Sequence, residues 1–460
     1  MIDGPEWLPG LSPDFDPETR LDGQTAAGAT FWVPQLTEVD AARVADHVRA
    51  AALAARTSHR VADVVSAVGR AARRLGDEDD PIGREALASL TASTGCSTAA
   101  AREMLAENTA GWTGPELSAL IRSELGELAV LDTARPDPRL DGRRRRAAGP
   151  PLVHLVSAGN VPGVAVTAVI RLLIVRSGVL CKLPQDEPFL VGLFARALQE
   201  EDPALAATIA ATWWPIDAPG PVAHEWLKRC GKVIVYGGAE AVRGMRQRTP
   251  ASIPILEYGP RVGAAVLGKE VSDTELAGLA RDVCAYDQAG CVSPRLVYML
   301  GTDATPILQR LATALGSEIA RLDSVFTTDD EAIDIRAARA RIQFEADEGA
   351  LALGPPDLAW TILYRQETSS YSEPLPRVLW VYEAASVPEL GRIRQALEGR
   401  IQALGTAGIS DADRRAVEEL AVELGVSRVT PLGAMAWPPA DWRHDGRMQL
   451  LPLLRWTDFE

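Results

Sequence analysis

From Pro151 onward the chain alternates short apolar runs with helical segments, and no other feature restricts its fold as tightly. Leu152-Val-His-Leu-Val-Ser157 reads as a buried strand and Ala158-Gly-Asn-Val-Pro-Gly163 as a turn. Val164 to Ser177 reads as an apolar helix stopped by Gly178, and Val179-Leu-Cys-Lys-Leu183 as a second strand. The series continues with a helix over Pro188 to Glu200, an ambiguous apolar run over 205–214 and a helix over Val222 to Cys230. The strand Lys232-Val-Ile-Val-Tyr236 follows, closed by Gly237-Gly238, then a helix through Arg246. Strands joined through helices pair in parallel by right-handed crossovers. Such sheets take their ligands beyond the carboxyl ends of the strands.

After Ile255-Leu-Glu-Tyr-Gly259 the alternation restarts. Strands are expected over 263–267, 296–300, 360–364, 377–382 and 427–432. Helices are expected over 273–284, 305–319, 331–345, 388–398 and 411–424, the last two capped by Ser386 and Ser410. This second α/β half is about as large as the first, with a cleft expected between them. Upstream lie a Pro-, Gly- and Asp-rich arm over residues 1–30 and an Ala-rich helical span from Glu38 to Leu75. Helices over 82–93, 98–108 (Ser97 as N-cap) and 116–125 come next, then an excursion over 128–146 broken by Pro136, Pro138 and Gly142.

Composition removes several function classes. A chain of 460 residues that is 47% hydrophobic and 24% charged reads as globular. No run approaches the ~18 apolar residues of a membrane span. The acidic, Pro-rich start lacks a secretory pattern, so a cytoplasmic protein is expected. A net charge of −15 argues against nucleic acid. The five cysteines and five histidines show no metal-ligand spacing, so no metal site is expected. The one basic cluster, Arg143 to Arg146, reads first as a solvated loop and second as a phosphate contact.

The chemistry concentrates at Asp287-Gln-Ala-Gly-Cys291-Val-Ser-Pro-Arg295. Cys291 falls on a loop between a helix and a strand, where a thiol is held toward substrate rather than packed as a small hydrophobe. The helix before it presents the unfavourable end of its dipole, so activation has to come from local amides or cofactor charge. No GxGxxG follows any strand. Gly237 and Gly238 could admit a pyrophosphate, and backbone geometry explains them equally well.

In order, the motifs are an Asn in a strand-to-helix turn (Asn160), Lys182-x-Pro, the Gly237-Gly238 pair, Glu257-x-Gly and the Gly290-Cys291 loop. This order resembles the aldehyde dehydrogenase superfamily, and Glu257 stands 34 positions before Cys291, similar to the separation there. Cys291-x-Ser-Pro294, Glu257-Tyr-Gly-Pro-Arg261, His444-Asp-Gly-Arg447 and Arg455-Trp456 resemble, more closely, the acyl-CoA reductase family that includes the fatty acyl reductase of bacterial luminescence systems. The likeness runs from Pro151 to Glu460.

That resemblance implies an aldehyde dehydrogenase-like fold of two Rossmann-type α/β domains with a cleft and a bridging hairpin. An NAD(P)-binding domain over 31–124 and 151–258, an oligomerisation hairpin over 125–150, a catalytic domain over 259–436 and a tail over 437–460 are expected. The implied reaction is NADPH-dependent reduction of an acyl thioester, on CoA or on a protein, to an aldehyde through an acyl-cysteine at Cys291. Asn160 and the Cys291 N–H would hold the oxyanion, and Glu257 and His444 are candidate acid/base groups. Ser157, Lys182, Gln185, Gly237, Gly238 and Glu373 would face the cofactor. A neutral Gln185 beside Lys182 favours NADPH, with NADH possible. Oxidation of an aldehyde to acid or acyl-CoA is the alternative reaction, and an acyl-holding subunit served by an acyl-protein synthetase is a third reading. A homo-oligomer is expected.

Overall fold

The computed structural model describes residues 21–26, 29–137, 142–215, 219–301, 303–323, 327–345, 349–366, 375–392 and 399–460. They divide into two compact units. The first runs through Gly259 and takes in Pro439–Asp441 and Met448–Glu460; the second is Pro260–Pro438 with Trp442–Arg447.

The first unit opens with an antiparallel hairpin, β1 (Leu21–Ala26) and β2 (Ala29–Pro34), paired Thr25 to Thr30. The expected arm therefore carries strands where its Pro and Asp residues give way to Thr30-Phe-Trp-Val33, a run of strong β-formers. The helical span expected over 38–75 is two helices, α1 (Glu38–Ser58) and α2 (Val61–Gly76). A capping box of Thr37 and Asp40 starts the first. The break at His59-Arg60 has its own partners: Arg60 N donates to Asp63 Oδ2 (2.9 Å) and Val61 N to Asp132 Oδ1 (3.0 Å). Side-chain acceptors thus replace the helix carbonyls there. Three more helices follow, α3 (Pro81–Thr94), α4 (Thr98–Gly111, capped by Ser97) and α5 (Gly114–Leu125).

The excursion forms a hairpin of β3 (Arg135–Pro136) and β4 (Arg144–Ala148). Strand Arg455–Phe459 pairs with the free side of β4, so two distant segments share one small sheet. Glu124 fastens the approach to that strand by accepting from the amides of Gln449, Leu450 and Leu451.

The main sheet of this unit uses β5 (Leu152–Val156), β6 (Gly178–Lys182), β7 (Ile209–Thr212), β8 (Lys232–Tyr236) and β9 (Ile255–Tyr258). Helices α6 (Val164–Ile174), α7 (Leu190–Glu201), α8 (Pro203–Ala206), α9 (Pro221–Arg229) and α10 (Ala239–Arg248) lie between them in sequence. The ambiguous run over 205–214 thus resolves into the end of a short helix and a strand. All neighbours are parallel, in the order β7-β6-β5-β8-β9. The order reverses between β5 and β8, which is where an open α/β sheet offers a crevice at its carboxyl edge.

The second unit has a seven-stranded sheet. In chain order its elements are β10 (Val262–Gly268), α11 (Asp273–Cys284), β11 (Pro294–Leu300), α12 (Ala304–Leu322), α13 (Asp329–Phe344), β12 (Leu351–Leu353), β13 (Thr361–Arg365), β14 (Val378–Ala384), β15 (Ile401–Ala407), α14 (Asp411–Glu423) and β16 (Arg428–Pro431). The order is β12-β13-β14-β11-β10-β15-β16, with only β12 antiparallel. The segment after Ser386 is a 3-10 turn, Val387–Arg392, where a helix through 398 was expected; residues 393–398 lie outside the described residues.

The strand β15 was not foreseen. Ile401-Gln-Ala-Leu-Gly-Thr-Ala407 is buried at every position and is paired on both sides, by β10 and β16. It carries one β-branched aliphatic residue. Its Gly405 leaves room that a Cβ would take from Leu432 and Met435, each 2.6 Å away from that point. Close packing, rather than strand propensity, selects these small residues.

Candidate active site

Among the five cysteines, Cys96, Cys181, Cys230 and Cys284 are buried and only Cys291 is partly accessible. Helix α11 leads toward it and passes into a 3-10 turn over Ala285–Gln288. There Tyr286, Asp287 and Gln288 have φ of 52°, 50° and 64°. Three consecutive non-glycine residues in the left-handed region cost about 1 kcal/mol or more each.

Buried polar groups hold that turn. Arg377, itself fully buried, reaches Asp287 Oδ1 (2.6 Å), Ala359 O (2.9 Å) and Thr327 Oγ1 (2.7 Å). The Gln288 amide donates to Pro294 O (2.7 Å) and Val378 O (3.1 Å) and accepts from Val378 N (2.9 Å). Arg295 donates to Gln288 O (2.6 Å). The loop carrying the thiol is therefore clipped at both its ends, and Gln288 ties it to β14. None of these clip residues had been assigned a role.

Cys291 packs with Val292, Ala403, Leu432, Met435 and Trp442. The thiol is less open than a loop position implied. Burial, reinforced by the nearby Asp445 carboxylate, pushes it up to about 12, and the Arg261 cation opposes this weakly. At neutral pH it rests as a thiol. Its Sγ lies 3.8 Å from His444 Nε2. At this separation a thiol donates to a neutral ring, or an imidazolium donates to a thiolate. His444 is stacked on Trp442 (centroids 4.9 Å, 21°), which sets the ring plane.

Asp445 completes the cluster. Its Oδ1 stands 4.0 Å from His444 Nε2 and 3.4 Å from Arg261 Nε. With its amide nitrogen directed at the carboxylate, Gln402 in β15 donates to Asp445 Oδ1 (2.9 Å) and accepts from Asp445 N (2.9 Å). Asp445 adopts φ 54° and Gly446 φ 70°, so the turn 444–446 is left-handed where it presents the histidine. Burial raises the Asp445 carboxyl above its ordinary value, against the pull of Arg261, Arg447 and Gln402. Arg261, Gln402 and Asp445 escaped assignment at the sequence level. Two of them lie in the Glu257–Arg261 and His444–Arg447 motifs, the only signal that could have flagged them.

The remaining candidates that the structure describes lie in the first unit. Asn160 is exposed on the turn after β5. The Ser157 hydroxyl donates to Lys182 O (3.0 Å), tying the ends of β5 and β6. Lys182 is buried with Nζ 6.0 Å from the Trp213 ring centre, and Gln185 is exposed. Gly237 is half-buried, with a virtual Cβ 3.0 Å from that of Ala241; Gly238 caps α10 and has open space beside it. Glu257 is paired through both carboxylate oxygens with Arg246 (Nε to Oε1 2.8 Å). Glu373 lies outside the described residues.

A shallow, partly open recess lies beside the ends of β5 and β6, lined by His154, Val156, Lys182, Trp214, Met245 and Arg248 among others. It has apolar walls with two cationic side chains. The chemistry of a nucleotide fits it, since rings need apolar cover and phosphates need positive charge. Among the described residues no cluster has the make-up of a metal site, and no helix is long and apolar enough to cross a membrane.

Glu187, next to Lys182 and Gln185, is buried and accepts from Phe189 N (2.9 Å) and Leu190 N (2.8 Å) at the start of α7. Burial pushes its carboxyl up to about 8, and these two amides offset only part of that. The folded protein therefore keeps a proton that the unfolded chain releases above about pH 4.3. The stability contributed by Glu187 is complete below that pH and is lost as pH rises toward 8. Glu187→Gln retains the acceptor and removes the titration. Its melting temperature should match the parent near pH 4 and exceed it by several degrees at pH 8.5. Equal melting temperatures at both pH values would count against a buried neutral Glu187.

The fold matches solved aldehyde dehydrogenases along nearly the whole chain. A salicylaldehyde dehydrogenase from Pseudomonas putida G7 superposes with a TM-score of 0.73 at 13% identity, covering 100% of this chain and 98% of that one. A benzaldehyde dehydrogenase from Corynebacterium glutamicum gives 0.70 at 14%, covering 99% and 98%. In sequence, the chain is 26% identical over 316 residues to the long-chain acyl-protein thioester reductase of Vibrio harveyi. The match covers 67% of this chain and 64% of that protein, a little under two thirds of its length. The protein of the same description from Aliivibrio fischeri is 25% identical over 352 residues, covering 74% and 70%. The model of the acyl-CoA reductase (LuxC) family matches residues 57–456, and the chain belongs to that family.

Proposed function

We propose that the protein reduces a fatty acyl thioester, carried on CoA or on a protein, to the aldehyde through an acyl-cysteine at Cys291, with NADPH as reductant. The observation that carries this reading is the partly accessible thiol set 3.8 Å from an imidazole. Family membership supplies the reaction class.

His444 takes the thiol proton as sulfur attacks the acyl carbonyl, and then protonates the departing thiol. The attraction available is large enough for the task. Unit charges about 4 Å apart are worth about 4 kcal/mol at an effective dielectric of about 20, roughly a thousandfold in thiolate fraction. Asn160 and the Cys291 N–H are the oxyanion donors, each worth ~3 kcal/mol in the barrier. Apolar cover from Val292, Leu432, Met435 and Trp442 shields the acyl-cysteine from water. When bound, the reduced nicotinamide supplies the hydride that no side chain can provide. Lys182, Ser157, Gln185, Gly237, Gly238 and Glu373 are the residues we assign to holding it. At position 185 an exposed, neutral glutamine stands where a carboxylate would repel a 2′-phosphate, which favours NADPH. Release of aldehyde restores the Cys291–His444 pair.

Oxidation of an aldehyde to the acid would call on Glu257 to activate water, and the Arg246 pair occupies both its oxygens. This favours reduction. An acyl-protein synthetase as acyl donor and a homo-oligomer built through the β3–β4 hairpin belong to the same proposal. The test is to mix the protein with acyl-CoA of several chain lengths and NADPH and to follow the nicotinamide absorbance, with gas chromatography for the aldehyde. Oxidation of NADPH matched by aldehyde is expected. No oxidation with any CoA or protein-bound acyl donor overturns the reading.

A further inference from the structure

His154 occupies the middle of β5, an interior strand, at 1% exposure. Its ring is stacked on Trp214 (6.0 Å, 26°) and edge-on to Trp226 (5.9 Å, 74°). Nδ1 lies 2.9 Å from Leu180 O. A carbonyl only accepts, so Nδ1 carries the hydrogen and Nε2 is left with a bare lone pair. Burial, with a lesser contribution from Lys182, pushes this imidazole down to about 4, so it is neutral in the working range. Nε2 is buried and has no partner among the described residues. An apolar residue here would avoid that desolvated acceptor.

The same side chain lines the recess at the ends of β5 and β6, between Val156, Ala223, Leu227 and Met245, with Lys182 and Arg248 as its cations. An acyl chain presents no N–H or O–H to an acceptor and gains nothing from two cations. A purine nucleotide offers both a flat apolar ring and anionic groups. Among purines, adenine carries an amino donor at the carbon where hypoxanthine and guanine carry a carbonyl oxygen, whose lone pair would oppose that of Nε2. We propose that His154 reads the exocyclic amino group of an adenine ring held in this recess, and so is a specificity-determining residue for the dinucleotide. This rests on the cofactor reading above and adds to it the atom that recognises the base.

The test is equilibrium binding, read by titration calorimetry and by quenching of tryptophan fluorescence. The full-length protein is titrated with NADPH and with its hypoxanthine counterpart, each also as the form lacking the 2′-phosphate. The parent should bind the adenine forms at least tenfold more tightly. His154→Leu should lose about tenfold toward adenine and little toward hypoxanthine. His154→Gln, whose amide can turn to donate or accept, should bind both bases within about threefold, and it decides the matter if the leucine variant does not fold. Equal binding of both bases by the parent, or full discrimination by His154→Gln, overturns the assignment of His154 while leaving the cofactor reading in place. Failure of every dinucleotide to bind the parent overturns both.

Discussion

Cys291→Ala should abolish covalent uptake of label from a radioactive acyl thioester and reduce aldehyde formation by roughly 10⁴-fold or more. A nucleophile removed from a covalent mechanism leaves only binding and oxyanion stabilisation behind. The experiment is clean because the other four cysteines are buried. The fold should tolerate the change. The side chain lies at a partly buried edge of a cluster that keeps Val292, Ala403, Leu432 and Met435, so the loss is one sulfur's worth of packing, about 1 kcal/mol. Cys291→Ser tests the same point with the geometry kept, since a hydroxyl beside the same imidazole is a far weaker nucleophile. Persistence of acyl label on the alanine protein would remove Cys291 from the mechanism.

The second large effect is expected at His444. His444→Gln should slow acylation by about 10²–10⁴-fold with little change in substrate affinity, the range spanned by lost general-base catalysis. Alkylation of Cys291 by iodoacetamide reads the same pair without any substrate. With the thiol pushed up to about 12 by burial and Asp445, the glutamine variant should react about tenfold faster per pH unit across the accessible range, without a plateau. The parent should show added reactivity at neutral pH from the imidazole-assisted thiolate. Asp445→Asn should act in the opposite sense on the thiol, because it removes the negative charge that opposes ionisation. An alkylation profile unchanged by His444→Gln would reduce the 3.8 Å contact to packing.

What was legible along the chain follows from how each signal is encoded. The parallel sheets could be read because buried strands of such sheets are continuous apolar runs, as in Leu152–Val156 and Lys232–Tyr236. Most helices of both units could be read, those capped by Ser97 and Ser410 among them, while the segment expected as a helix after Ser386 is a 3-10 turn. β15 could not be read in this way. Its alanines, glycine and glutamine are chosen by what Leu432, Met435 and Asp445 bring to them from far along the sequence. The left-handed turn at Tyr286–Gln288 was equally opaque, since none of its residues is glycine and it is held by Arg377 and by the bonds of its own Gln288 to Val378 in β14.

The candidate site divides in the same manner. Cys291 could be singled out because its local setting, a Gly-Cys loop between helix and strand, is written in adjacent residues. Its helix end argued against dipole activation, and nothing nearby in sequence offered a substitute. His444 stands 153 positions later, and only folding carries it to the sulfur. The sequence by itself determined the alternation of strands and helices and the family, and it singled out Cys291 as the candidate thiol, because these rest on local periodicity and short motifs. The tertiary structure decided which imidazole meets that thiol, which buried amide holds the carboxylate beside it, and that a buried imidazole with an unpartnered nitrogen is among the residues lining a recess in the first unit. Each of these depends on contacts between segments far apart in the chain, which periodicity cannot encode.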